Sequence, residues 1–203
     1  MAGSQLVLRQ IIVILSAVIY WGGVIILARR VRKEIGRSPN IKPKSPKERL
    51  LWMGWFFVIA GWLGQPFLVQ GFNKHGIFSL LTPLFNTWVM ISGILLVVLG
   101  YAGTLWCYSA LGGSWRIGVN KNERAVLIKK GPYGFIRHPI YVFQIIMLAG
   151  VACLLPTLFS FMVLLIHFAC VMIKAKDEEA YLLVSCGPEY KDYCARTGRF
   201  LPK

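Results

Sequence analysis

Two short stretches hold most of the side chains that could do chemistry. The first, Gly131-Pro132-Tyr133-Gly134-Phe135-Ile136-Arg137-His138-Pro139-Ile140-Tyr141, joins a guanidinium, an imidazole and two phenols. The second is Lys174, Lys176, Asp177, Glu178 and Glu179, two cations followed by three carboxylates. Each has an ordinary explanation. Pro139 suits the first turn of a helix, and Arg137, Tyr133 and Tyr141 suit the headgroup level of a membrane. The acidic stretch suits a solvated helix exit with lysines snorkelling to water. Chemistry becomes the better explanation only if the chain brings both stretches to one place, which depends on the elements that carry them.

Those elements are apolar. At 203 residues with 56% apolar content and a mean hydropathy of +0.59, the chain is too oily for a soluble fold of its size. A formal charge of +15, from 23 Lys and Arg against 8 Asp and Glu, would fit nucleic acid if it lay on amphipathic segments. It lies instead between long apolar runs, the pattern of a membrane protein gripping anionic lipid headgroups, and no nucleic-acid partner is expected. The five cysteines form no CxxC pair, so neither a disulfide framework nor a metal site is expected. A crossing of about 30 Å takes roughly 20 residues. Residues 6–28, 50–70 and 84–110 supply three spans, the first read as a retained helix and not a cleaved leader. The run 139–173 is too long for one span, and Leu155-Pro156 near its middle cuts it into a hairpin of two short helices.

The result is an all-α integral membrane bundle of about five transmembrane helices. Nine basic residues, Arg29, Arg30, Arg32, Lys33, Arg37, Lys42, Lys44, Lys47 and Arg49, follow the first span, only Lys74 follows the second, and six more lie in 111–138. The positive-inside rule then puts the N-terminus outside and the C-terminus in the cytosol. Residues 38–47 read as an irregular cytosolic loop. After Lys174, helix is expected to resume over 176–185 and to stop at Gly187-Pro188. His167 is expected to be a neutral imidazole hydrogen-bonded to a neighbouring helix, and Gln65, Gln70 and Gln144 to hold helices together. His75, in the external loop, has no evident role. The hairpin returns the acidic stretch to the membrane face that carries His138.

From 111 to 203 the chain resembles the isoprenylcysteine carboxyl methyltransferases and the related phospholipid methyltransferases. The residues that carry the resemblance are Leu111-Gly112 with Trp115, Gly131-Pro132-Tyr133, Arg137-His138-Pro139 and Tyr141, then Glu178-Glu179, Gly187-Pro188-Glu189-Tyr190 and Tyr193, and finally Arg196-Thr197-Gly198-Arg199-Phe200-Leu201-Pro202. The resemblance divides the chain into three transmembrane helices with a basic cytosolic loop at 29–49 (1–110) and a catalytic region with the hairpin at 139–174 (111–203). It implies S-adenosylmethionine as cofactor, S-adenosylhomocysteine as product, and a cytosolic pocket lined by Tyr133, His138, Pro139 and Tyr141. The backbone of Ala125, Val126, Leu127 and Ile128 would lie beneath the adenosine, with Glu178 and Glu179 beside the ammonium of the methionine moiety. Where family members often carry a substrate-binding arginine, this chain has Lys174, which keeps the charge and loses the bidentate fork. Lys174 either binds substrate or is an i,i+4 partner of Glu178.

The expected reaction is methyl transfer to a lipid-borne acceptor entering from the bilayer, with carboxyl O-methylation of a C-terminal isoprenylcysteine or a similar carboxylate favoured. A carboxylate is already ionised and needs only a cation, Lys174 or Arg137, to place it. A phosphatidylethanolamine amine, the acceptor of an alternative N-methyltransferase, must first lose a proton, with Glu178 or Glu179 as base. An NADPH-dependent sterol-type reductase and a non-enzymatic membrane scaffold are the readings of other classes. The sequence leaves oligomeric state open.

Overall fold

The computed structural model describes residues 2–35, 45–69, 76–112 and 127–203. Its helices are α1 (Ala2–Ile35), α2 (Pro46–Leu68), α3 (Thr87–Leu111), α4 (Pro139–Leu154), α5 (Leu158–Cys186) and α6 (Pro188–Arg196). Apolar sequence in lipid becomes helix because every backbone N–H and C=O must find its partner within the segment. Four helices, α1, α2, α3 and α5, are long and apolar enough to cross a bilayer, and α4 is a shorter apolar one. The all-α membrane bundle is therefore the observed fold.

Local chemistry sets the ends. Ser45 and Glu48 form a reciprocal capping box with Pro46 at the first helical position, so Pro46 and Lys47 open α2 and do not belong to an irregular loop. Residues 36–44, the rest of that expected loop, lie outside the described residues. Asn86 and Thr157 cap α3 and α5 by accepting from Val89 N and Ser160 N. The third span thus begins after a 3-10 turn over Thr82–Leu84, slightly later than the hydropathy suggested.

The hairpin turns at Leu155, Pro156 and Thr157, where Leu81 N donates to Pro156 O at 2.8 Å and Phe159 N to Ile77 O at 2.8 Å. Two expectations need correction here. The helices are not both short, and helix does not resume after Lys174, because α5 runs unbroken through Lys174 to Cys186. Falling hydropathy at Lys174 marks the edge of the apolar layer, whereas helix is ended by Gly187, whose φ of +52° suits glycine.

Close backbone approach holds the antiparallel pairs. A Cβ at Gly100 of α3 would lie 2.6 Å from the Phe143 carbonyl oxygen of α4, and one at Gly150 2.6 Å from that of Gly93. Lipid offers no hydrophobic drive between helices, so small residues and polar bonds do this work. Gln144 Nε2 donates to Tyr20 Oη at 2.6 Å, Gln10 Nε2 to Pro66 O at 2.6 Å, and Ser160 Oγ to Gln65 Oε1 at 2.6 Å. Gln144 and Gln65 therefore join helices as expected, while Gln70 lies outside the described residues, as do Lys74 and His75. His167 departs from expectation. It is buried edge-on against Trp55, with ring centroids 4.9 Å apart, and neither ring nitrogen has a hydrogen-bond partner among the described residues. The imidazole therefore packs against Trp55 and makes no hydrogen-bonded bridge among the described residues.

At the far end of the bundle Arg9 is fully buried. Its Nη1 donates to Leu154 O at 3.3 Å, its Nη2 to Asn86 O at 2.7 Å, and the guanidinium lies 4.0 Å above the Phe85 ring. A cation on the last carbonyl of α4 is favoured by the helix dipole. The bond therefore ties α1 to the C-terminal end of α4 and to the cap of α3.

Candidate active site

The antiparallel hairpin brings the first turn of α4 beside the last third of α5. His138, the residue before Pro139, is buried, and its Nδ1 lies 3.5 Å from Glu178 Oε2 while its Nε2 lies 3.3 Å from Glu179 Oε1. Burial pulls the His138 imidazolium down, but hydrogen bonds and attraction from Glu178 and Glu179 outweigh it, and the pKa is raised above its ordinary value. Tyr141 Oη donates to Glu178 Oε1 at 2.8 Å, and its ring stacks on His138 with centroids 5.6 Å apart.

The adjacent glutamates do different things. Glu179 is only 14% exposed and accepts from Arg137 Nε at 3.0 Å and from Arg199 Nε and Nη2 at 3.0 and 2.6 Å. Two guanidiniums and an imidazole thus share one carboxylate. Glu178 is 24% exposed and, among the described residues, has Tyr141 and His138 beside it but no guanidinium or ammonium. Arg137 is likewise committed, since besides Glu179 its Nη1 donates to Thr197 O and, at 3.5 Å, to Cys194 O.

The tail completes the wall. Gly187 turns the chain into α6, whose Tyr193 Oη donates to Tyr133 O at 2.6 Å. Burial pushes the Tyr193 phenol up to about 12, which keeps it a donor at neutral pH. Residues beyond α6 run parallel to 136–138, with an isolated bridge between Ile136 and Gly198, Arg137 N bonded to Gly198 O at 2.9 Å and His138 N to Arg199 O at 3.2 Å. Phe200 then covers the imidazole at 5.9 Å between centroids.

The structure therefore gathers Arg137, His138, Pro139, Tyr141, Glu178 and Glu179 at one end of the bundle, with Tyr133 tied to them through Tyr193. Pro139 is buried at the start of α4, and Tyr133 is half-buried in the 3-10 turn Gly131–Gly134. Leu127 and Ile128 are half-buried in irregular backbone leading to that turn. Ala125, Val126 and Trp115 lie outside the described residues. Lys174 is half-buried one turn before Glu178, and among the described residues it makes no ion pair, with Glu178 or otherwise. Sequence reasoning assigned no role to Arg199, Thr197 or Tyr193. The signal was the Arg196 to Pro202 motif, whose residues prove to be the strap that holds Arg137 and His138.

Residues 93–184 match the model of the Isoprenylcysteine carboxyl methyltransferase (ICMT) family. The match runs from within α3 to near the end of α5, so the family resemblance carried by the second-half motifs is shown for this segment. Among curated proteins the chain is 32% identical over 122 residues to the cobalt-zinc-cadmium resistance protein CzcN of Cupriavidus metallidurans, covering 58% of this chain and 53% of the relative. It is 28% identical over 122 residues to the nickel-cobalt-cadmium resistance protein NccN of Alcaligenes xylosoxydans xylosoxydans, covering 58% and 54%. The chain thus spans about half the length of the curated relatives it matches. It is a polytopic membrane protein whose residues 93–184 match that family model, and the His138, Tyr141 and Glu178 cluster lies inside the matched residues.

Proposed function

We propose that this chain is an S-adenosylmethionine-dependent methyltransferase acting on a lipid-borne acceptor, with carboxyl O-methylation of an isoprenylcysteine or a similar carboxylate as its reaction. The observation that carries this reading is the convergence of Tyr141, His138 and Glu178, with Glu178 left free of any cation but the imidazole among the described residues. A carboxylate so placed suits the ammonium of a methionine moiety, as a charge-assisted hydrogen bond requires. His138, whose charged form the two glutamates favour, would supply the opposite sign, and Tyr133, Pro139, Leu127 and Ile128 are the residues that would hold the nucleoside. When bound, the cofactor supplies a methyl group on a sulfonium, which the acceptor displaces in line to leave S-adenosylhomocysteine.

This chain's residues do the rest by placement. Tyr141 orients Glu178, and Glu179 fixes Arg137 and, with the tail, the imidazole. Lys174, without an ion-pair partner among the described residues, is the cation for an acceptor carboxylate, which needs no general base. Holding acceptor and donor in line and excluding water supplies up to roughly 7–11 kcal/mol in favourable cases. The basic loops support a cytosolic position for this end, where a soluble cofactor and a greasy acceptor meet. The names of the two relatives speak of metal resistance and name no acceptor. Among the described residues no group of three or more His, Cys, Asp or Glu side chains could hold a metal ion.

The test is binding and turnover by the full chain in detergent. S-adenosylhomocysteine should bind where NADPH does not, and label from S-adenosylmethionine should pass to a farnesylated cysteine analogue in preference to phosphatidylethanolamine. Glu178→Ala should abolish cofactor binding, and Lys174→Ala should raise KM for the acceptor while leaving cofactor affinity alone. Binding of NADPH alone, label in neither acceptor, or a Glu178→Ala variant that binds as well as the parent would each refute the reading.

A further inference from the structure

On the other side of Glu179 from Glu178, α5 and α6 diverge to leave a cleft of about 490 Å³. Three cations line it: Lys176 from α5, Lys191 from α6 and Arg199 from the tail. The lone carboxylate in its wall, Glu179, is already neutralised by Arg137 and Arg199. The ammonium groups of Lys176 and Lys191 have no partner among the described residues. Tyr190, 2% exposed, and Cys194 also line the cleft, the buried Tyr190 hydroxyl having the Cys194 thiol as its polar neighbour. Three cations against one neutralised carboxylate specify an anion with several acceptor oxygens.

Depth decides what carries that anion. From Leu158 to Lys176 α5 rises about 27 Å and to Leu183 about 38 Å, at 1.5 Å per residue, against about 30 Å of hydrocarbon. The cleft therefore lies at headgroup level. At that depth the anion at hand is the phosphate of a lipid headgroup.

We propose that the α5–α6 cleft binds the phosphodiester headgroup of one anionic phospholipid, through Lys176 and Lys191. Occupancy would brace the Arg199–Glu179 pair from the side opposite the cofactor site. The proposal does not rest on methyl transfer, and its test needs none.

Full-length protein in neutral detergent is titrated with dioctanoyl phosphatidylglycerol, dioctanoyl phosphatidylcholine and inorganic phosphate, and bound lipid is read by native mass spectrometry. Phosphatidylglycerol should bind in preference to phosphatidylcholine and should not be displaced by equimolar phosphate. The double variant Lys176→Gln/Lys191→Gln should lose roughly 25-fold in affinity, about fivefold per lysine. Lys176→Arg/Lys191→Arg should restore it. Unchanged affinity in the glutamine variant, failure of the arginine pair to rescue, parity of the two lipids, or displacement by phosphate would overturn the proposal.

Discussion

Replacing Glu179 by glutamine keeps the side chain's shape and removes the charge that Arg137, Arg199 and His138 share. The cost follows from burial. Breaking a buried ion pair by removing one partner costs about 3–5 kcal/mol, because the remaining charge is left uncompensated. The Arg199 side chain is 36% exposed, so solvent screens its share toward the surface value of about 0.5 kcal/mol. Arg137, 12% exposed, and His138, 6% exposed, carry most of the loss. Glutamine still offers one acceptor oxygen, which brings the expected destabilisation to about 2–3 kcal/mol. A chain of this size shifts its midpoint by about 2–4 °C per kcal/mol, so thermal unfolding in a single detergent should move down by about 4–12 °C. Glu178→Gln is the internal comparison: it keeps an acceptor for Tyr141, weakens that charge-assisted bond and the longer His138 contact by about 1 kcal/mol, and should move by about 2–4 °C. Equal shifts, or a milder Glu179→Gln, would refute the division into a structural Glu179 and a ligand-facing Glu178.

Four further outcomes follow from the same geometry. Gly100→Ala would push a Cβ against the Phe143 carbonyl and the Met147 amide, backbone atoms that cannot step aside, and should cost about 1–3 kcal/mol, whereas Gly64→Ala, with nothing within 4 Å, should be close to neutral in the same thermal scan. Arg9→Ala orphans the Leu154 and Asn86 carbonyls and should cost about 3 kcal/mol, with Arg9→Lys recovering only part. The raised pKa of His138 gives a sign for pH: its contribution is complete below about pH 6.5 and is lost as pH climbs through the folded value. The midpoint difference between parent and His138→Gln should therefore shrink above that pH, and a constant difference would refute a charged imidazole. Removing residues 197–203 takes away the carbonyls that hold Arg137 and the His138 amide, and should abolish S-adenosylhomocysteine binding while α1 to α3 keep their helical signal.

The sequence made the spans and the hairpin legible because a bilayer forces long apolar runs into helix and leaves charge only at their ends. It also placed His138 beside the acidic stretch, since a turn at Pro156 permits little else. What it could not separate was Glu178 from Glu179. Neighbouring carboxylates are identical in pattern, and their roles part only because Arg199 arrives from the far end of the chain. Arg9 escaped notice for a related reason: one cation near the start of a span looks like a snorkelling end, and its burial depends on Asn86 and Leu154 meeting it from two other helices. His167 misled in the opposite direction, because its type suggests a polar bond where the neighbouring helix offers Trp55.

The misplaced break at Lys174 explains why the site needs a helix longer than its membrane crossing. If helix had stopped there and restarted, the azimuth of Glu178 relative to Tyr141 would be set by a loop, whose freedom works against the orientation that the proposed methyl transfer demands. An unbroken α5 fixes Glu178 and Glu179 about 100° apart on a rigid rod, one toward Tyr141 and the other toward Arg137 and Arg199. α4 is too short to extend past its own first turn, so α5 alone projects beyond it. α6 and the tail must then fold back from that projection, and the bridge between Ile136 and Gly198 closes the circuit. The unbroken α5 thus holds the acidic pair on two faces, Glu179 gripped by Arg137 and the tail and Glu178 turned to Tyr141.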